Sequence, residues 1–178
     1  PVCLGGFTDI TVSVSRPAPL QVVSGFVPFG MAFAQNSSIS ALIQGEPRQT
    51  GIFIFTVRAT SASGTADHEF TITVNEISND SELDDAFSNV PYSQQLTLSG
   101  GASGSVEWTL VSGDLPTGLS LSTDGEISGT PSDTSTFTYG FTVRAESGAM
   151  ACEKIFSITV SACADWTQTT WGVPVTHD

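Results

Sequence analysis

Phe55-Thr56-Val57-Arg58-Ala59 returns as Phe141-Thr142-Val143-Arg144-Ala145, and Phe70-Thr71-Ile72-Thr73-Val74 returns as Phe156-Ser157-Ile158-Thr159-Val160, both 86 residues later. Solenoid and propeller periods lie at ~20–50 residues, so a spacing of this length marks a repeated domain. The returning stretches alternate apolar and polar side chains, the pattern of a strand with one face in a core and one in water. The chain is therefore read as two copies of one small β-module.

The same alternation runs through Ile10-Thr11-Val12-Ser13-Val14 and Gln95-Leu96-Thr97-Leu98. Turn residues part these stretches: Ser61-Ala62-Ser63-Gly64, Ser99-Gly100-Gly101, Ser112-Gly113-Asp114 and Thr123-Asp124-Gly125. The Asp124-Gly125 pair predicts a tight hairpin, because glycine tolerates the positive φ such turns require. No segment holds a 3.6-residue apolar period with caps, so little or no α-helix is expected. Short strands at this spacing predict an all-β fold of two tandem Ig-like antiparallel β-sandwich domains.

Aligning Val23-Ser24-Gly25 with Val111-Ser112-Gly113, and Gly45-Glu46-Pro47 with Gly129-Thr130-Pro131, gives the first copy a longer hairpin near 34–44. The expected division is domain 1 over 1–75, an acidic linker over 76–88, domain 2 over 89–161, and a Trp-bearing tail over 162–178.

Eighteen acidic residues against five Lys and Arg leave a net charge of −13. That excludes nucleic acid, which needs clustered Lys and Arg, and anionic membrane surfaces. No run of ~18 apolar residues suggests a membrane-crossing helix, and no basic-then-apolar leader is visible. Charged residues are only 13% of the chain, while Ser, Thr and Gly abound, as in β-rich extracellular or virion-surface modules. Pro1 reads either as a true start trimmed of its Met or as the edge of a cut fragment. Cys3, Cys152 and Cys163 are odd in number and scattered, so the expectation is reduced thiols, with a Cys152–Cys163 or Cys3–Cys163 bridge as alternatives. Cys152 stands where the first copy has Ala66.

The second copy reads Glu107-Trp108-Thr109-Leu110-Val111-Ser112-Gly113, then Leu115-Pro116-Thr117-Gly118-Leu119-Ser120-Leu121. It continues through Gly125-Glu126-Ile127-Ser128-Gly129-Thr130-Pro131 to Phe141-Thr142-Val143-Arg144-Ala145. Over about residues 90–160 this closely resembles the putative-Ig family of bacterial and phage surface modules, which is related to cadherin-like domains. The first copy resembles it more weakly, with Leu20 at the place of Trp108. The resemblance implies an Ig-like sandwich acting as spacer, adhesive or binding module, and it brings no catalytic residues.

The residues agree. Trp108, Leu110, Leu119, Leu121, Ile127, Phe137, Phe141, Val143, Phe156, Ile158 and Val160 are the expected second core, each large side chain contributing ~1.5–3 kcal/mol on burial. Arg58 and Arg144 are expected to pair with nearby carboxylates on the solvent face. His68 and His177 are the only histidines, no nucleophile elbow is present, and no acid/base pair of carboxylates recurs. The chain is read as not an enzyme, with no cofactor.

Two regions are candidates for binding. Asp80, Glu82, Asp84 and Asp85 cluster between the copies, where a calcium hinge is the alternative to a solvated linker. Trp166 and Trp171 in the tail are either a partner-binding site or an extra edge strand folded onto domain 2. The expected function is a virion structural protein, a bacteriophage head-decoration or tail-associated protein. It would be assembled in the host cytoplasm, dock on capsid or tail proteins as a homo-oligomer on a symmetric lattice, and reach host-surface glycans. The alternative is a spacer or carbohydrate-binding fragment of a secreted bacterial adhesin or multidomain enzyme, at the cell surface.

Overall fold

A computed structural model of the chain describes residues 2–101, 104–148 and 150–162, and among these no residue is helical. The first seven strands are β1 (Val2–Cys3), β2 (Thr8–Ser13), β3 (Leu20–Gly25), β4 (Met31–Gln35), β5 (Ser40–Gly45), β6 (Gly51–Ser61) and β7 (Gly64–Ile77). They form one sheet in the order β1-β7-β6-β3 and another in the order β2-β5-β4. The remaining strands are β8 (Ala86–Phe87), β9 (Tyr92–Gln95), β10 (Leu98–Ser99), β11 (Glu107–Gly113), β12 (Leu119–Leu121), β13 (Glu126–Gly129), β14 (Phe137–Ser147) and β15 (Met150–Ser161). They repeat the arrangement as β11-β14-β15-β8 and β12-β13-β9, while β10 pairs with β7.

The recurrent stretches lie on the central hairpins and keep the same register. Phe55 stands opposite Phe70, and Phe141 opposite Phe156. Their rings meet in the two cores, with centroids 5.7 Å and 6.1 Å apart. One core gathers Val12, Leu20, Met31, Ile43, Phe55, Val57, Ile72 and Val74. The other gathers Leu96, Trp108, Ile127, Phe141, Val143, Phe156, Ile158 and Val160, among others.

Smaller devices recur too. The β3–β6 ladder slips at Val23, between Val22 and Ser24, and the β11–β14 ladder slips at Val111, between Leu110 and Ser112. Past each bulge a cross-strand hydroxyl pair closes the ladder: Ser24 to Thr56 at 2.9 Å, and Ser112 to Thr142 at 3.0 Å. The strand then ends on Gly25 or Gly113, at φ of 70° and 76°. A Cβ at either would collide with a carbonyl of the partner strand, Ile54 O or Gly140 O. Only glycine fits both the dihedral and the contact.

Gly125 forms the expected turn between β12 and β13, its N–H donating to Ser122 O at 3.0 Å. Its bare Cα is also the floor on which Trp108 lies, since a Cβ there would come 2.7 Å from the indole Nε1. The longer hairpin of the first half turns over residues 36–39 between β4 and β5.

Two expected core residues are exposed, and Leu119 and Leu121 are half-buried against the core. Leu110 is 41% exposed and Phe137 58% exposed. β11 is the outer strand of its sheet and bulges at Val111, so Leu110 sits where the facing sheet has dwindled to the short β12. Phe137 opens β14 at the end of the sandwich and rests edge-on against Tyr139, 4.8 Å between centroids. Arg58 makes a two-pronged pair with Asp67, 2.7 Å at both oxygens, and Arg144 reaches Glu146 at 2.7 Å. All four side chains are exposed, so these pairs orient the face more than they stabilise the fold.

Phe55→Ala and Phe141→Ala are each expected to lower unfolding free energy by about 3–5 kcal/mol, because both rings are buried among large neighbours. Phe26→Ala, at an exposed ring, is expected to change it by less than about 0.5 kcal/mol. Denaturant melts of the three variants check this.

Candidate functional site

The residues with most specific chemistry converge where the two halves meet. β7 does not stop at the first core: Val74 is buried there, while Ile77, three residues on, is buried in the second core. Between them Asn75 is fully buried, and a buried amide needs partners for both its ends. Its Oδ1 accepts from the Gly101 N–H at 3.1 Å, and its Nδ2 reaches Val2 O at 3.5 Å. Its backbone oxygen accepts from Leu4 N–H at 2.8 Å. Gly100 lets the loop come this close, since a Cβ there would lie 2.8 Å from Asn75 Cα.

Beyond Asn75 the strand is held by the second half. Glu76 and Ile77 pair with Ser99 and Leu98 of β10. Ser78 N–H donates to Thr97 O at 2.9 Å, and Asn79 Oδ1 accepts from Thr97 N–H at 2.7 Å. Lys154, the only lysine in the sequence, donates its Nζ to Ile77 O at 3.0 Å and to Asn79 O. A disulfide joins Cys3 on β1 to Cys152 on β15, with Cα atoms 5.6 Å apart. The expectation of reduced cysteines, and both alternative pairings through Cys163, give way to this bridge. Its partners are 149 residues apart in sequence and meet because β1 lies along Val74–Asn75, beside the start of β15.

The acidic segment is built into the second half and is not a solvated hinge. Ser157 N–H donates to Ser81 O at 2.8 Å, and Leu83 N–H donates to Ser157 O at 3.0 Å. Leu83 and Ala86 are buried, and β8 runs parallel to the end of β15. Leu83, Ala86 and Ser88 face inward, while Asp80, Glu82, Asp84 and Asp85 are exposed. Asp80, Glu82 and Asp84 border a shallow polar hollow with Gln94 and Thr97. Among the described residues, no three His, Cys, Asp or Glu side chains gather as a metal ion requires, so Asp80, Glu82, Asp84 and Asp85 are not brought together as one ligand set. Instead Asp84 and Asp85 act on Tyr92: partial burial first, then their two charges, push its phenol up to about 12. The Tyr92 hydroxyl itself is buried without a hydrogen-bond partner among the described residues. Trp166, Trp171, Cys163 and His177 lie outside the described residues.

The opposite end of the first half is open. A cleft of about 460 Å³ there is lined by Val14, Leu20, Val57, Ala59, Ala66 and His68, among others. Ala59 is half-buried and Ala66 exposed, whereas their partners in register at the joint, Ala145 and Cys152, are buried. His68 is exposed, its ring edge-on to Phe70 at 4.7 Å. No sequence motif marked this cleft; small residues at Ala59 and Ala66 were the available signal.

Residues 79–161 match the family model described as "Putative Ig domain". No curated protein matches the chain. Similar solved structures include an endo-fucoidan hydrolase of glycoside hydrolase family 107, MfFcnA4, at 19% identity and TM-score 0.40, covering 90% of this chain and 27% of that one. The titin I-band fragment I67–I69 is similar at 11% identity and TM-score 0.42, covering 90% of this chain and 61% of that one. The protocadherin GammaB4 extracellular domain is similar at 10% identity and TM-score 0.36, covering 89% and 34%. The chain thus spans well under half the length of the fucoidan hydrolase, and none of these likenesses carries an activity to it.

Tyr92 gives the site a pH signature. A phenol whose pKa rises on folding contributes stability that is present below the unfolded value, near 10, and lost as pH climbs toward about 12. Tyr92→Phe is therefore expected to melt higher than the parent chain above pH 10, with the gap widening up to pH 12, which thermal melts across that range measure.

Proposed function

We propose that this chain is a rigid, non-catalytic Ig-like spacer in a surface-exposed or secreted protein, holding its two sandwiches at a fixed distance and orientation to each other. The locked joint carries the reading. Neighbouring domains in one chain move relative to each other by default unless the interface is extensive and apolar. Here a continuous strand, a buried asparagine, the only lysine of the sequence and a covalent bridge all act on one short stretch. Such convergence serves a protein whose task is shape.

The bridge also bears on where the protein works. Disulfides persist in oxidising surroundings and are rare in the cytosol. This favours the spacer of a secreted or surface protein over a virion decoration protein assembled in the host cytoplasm, which would fold with its thiols reduced. The acidity fits either setting as a means of staying soluble.

Mass mapping of unreduced protein is expected to find Cys3 linked to Cys152 and a single titratable thiol per chain. Residual dipolar couplings from dilute, monomeric protein should fit one alignment tensor for both halves. Two tensors of different magnitude would overturn the spacer reading. Cys3→Ser combined with Cys152→Ser should lower unfolding free energy by about 2–5 kcal/mol and let the halves reorient.

A further inference from the structure

The joint exists once in the chain, yet its components occur twice. In the second half, the end of the sandwich at β10 and the β14–β15 hairpin is closed by the first half, through Ile77 and Cys3. Register identifies the same end of the first half. Tyr92 pairs with Gly129 as Thr8 pairs with Gly45, which sets Val14-Ser15 in the place of Leu98-Ser99. Ala59 faces Ala66 as Ala145 faces Cys152, and Val57 faces His68 as Val143 faces Lys154. That end is the open cleft.

The far end of the second half carries the matching insert. β8 lies along β15 as β1 lies along β7, with Phe87 opposite Ser161 where Cys3 stands opposite Asn75. The loop that follows is the same in detail. Gly5 N–H donates to Pro47 O and Asn89 N–H to Pro131 O, both at 2.8 Å, and both residues have positive φ, 71° and 59°. Thus the position that holds the bridging cysteine at the joint holds, at the far end, a phenylalanine 47% exposed to solvent.

We propose that the chain binds a second copy of itself head to tail, the far end of one copy entering the open end of the next and repeating the internal joint. In that arrangement Phe87 of one copy takes the place of Cys3, against Ala66 of the next in the place of Cys152. The side chains there are small: Ala59, Ala66, and Gly64 at the place of Met150. Ala59 and Ala66 line the cleft of about 460 Å³ left for the ring. Val14-Ser15 holds the edge position that β10 holds at the joint, and His68 the position of Lys154. Such a contact joins two different surfaces, so it propagates into a chain or closes into a ring. The inference rests on the joint's geometry and not on the spacer reading or its oxidising compartment.

Sedimentation velocity of the full chain over rising concentration is expected to show a weight-average mass that climbs past the dimer. Phe87→Glu and Ala66→Trp should each weaken self-association by about tenfold or more. Mixed together, these two variants leave one intact cleft and one intact insert and should stop at a heterodimer. A covalent version does not depend on affinity: Phe87→Cys mixed with Ala66→Cys, both in a Cys163→Ser background, should give a disulfide-linked dimer under oxidising conditions. Thermal melts matching the parent chain establish that each variant is folded. A parent chain that stays monomeric, variants that associate as the parent does, or folded cysteine variants that fail to cross-link would each overturn the proposal. None of these outcomes touches the dipolar-coupling test of joint rigidity, which is run on dilute monomer.

Discussion

A β-strand that leaves one sandwich for another must have its backbone groups satisfied throughout, because an unpaired N–H or C=O away from water costs as much as a lost hydrogen bond. β7 meets that constraint by changing partners as it crosses the joint: β6 and β1 on one side of Asn75, β10 and then the Thr97 backbone on the other. Asn75 sits at the changeover, where neither ladder is complete, and its amide supplies the acceptor that Gly101 needs. The rest of the joint follows. Gly100 must be bare for the loop to approach, Lys154 must turn inward to the carbonyls of Ile77 and Asn79, and β1 must lie close enough for Cys3 to meet Cys152.

Within each half, packing is governed by one cross-strand aromatic pair on the central hairpin, with a bulged edge strand and a terminal glycine beside it. The bulge twists the strand, and the serine–threonine hydroxyl pair restores pairing after it. That the same slip, the same hydroxyl pair and the same glycine occur in both halves indicates a backbone path held by several small constraints acting together. Trp108 on Gly125 is the main departure: the first half has Leu20 at that place and a looser interior at its open end.

How far the molecule could be read from its residues follows from the range of the interactions. The strands β6, β7, β14 and β15 were legible because alternation and recurrence are local signals, and the Asp124-Gly125 turn because its geometry demands glycine. Leu110 and Phe137 were misplaced because alternation reports which face a residue is on and not whether anything covers that face. The two-residue strands β1 and β8 are too short to carry a period. The disulfide was illegible for a stronger reason: Cys3 and Cys152 belong to different halves, and only the placing of one sandwich against the other brings them together. The acidic segment misled because its charges dominate its composition, while the few apolar residues that fix it, Ile77, Leu83 and Ala86, are spaced among them.

The Cys3–Cys152 bridge ties residue 3 to residue 152 and so encloses nearly the whole polypeptide in one covalent loop. If the molecule is pulled from its two ends, tension entering at Cys3 crosses the sulfurs and leaves through Glu153 without traversing the strands between them. Only the stretch of β15 after the bridge bears load, and peeling it away frees a few residues of slack before the force meets the sulfur–sulfur bond. The first sandwich is thereby shielded from stretching and hangs beside the line of force, while the second meets it through Phe156, Ile158 and Val160, whose strand is drawn out until the bridge sets the limit.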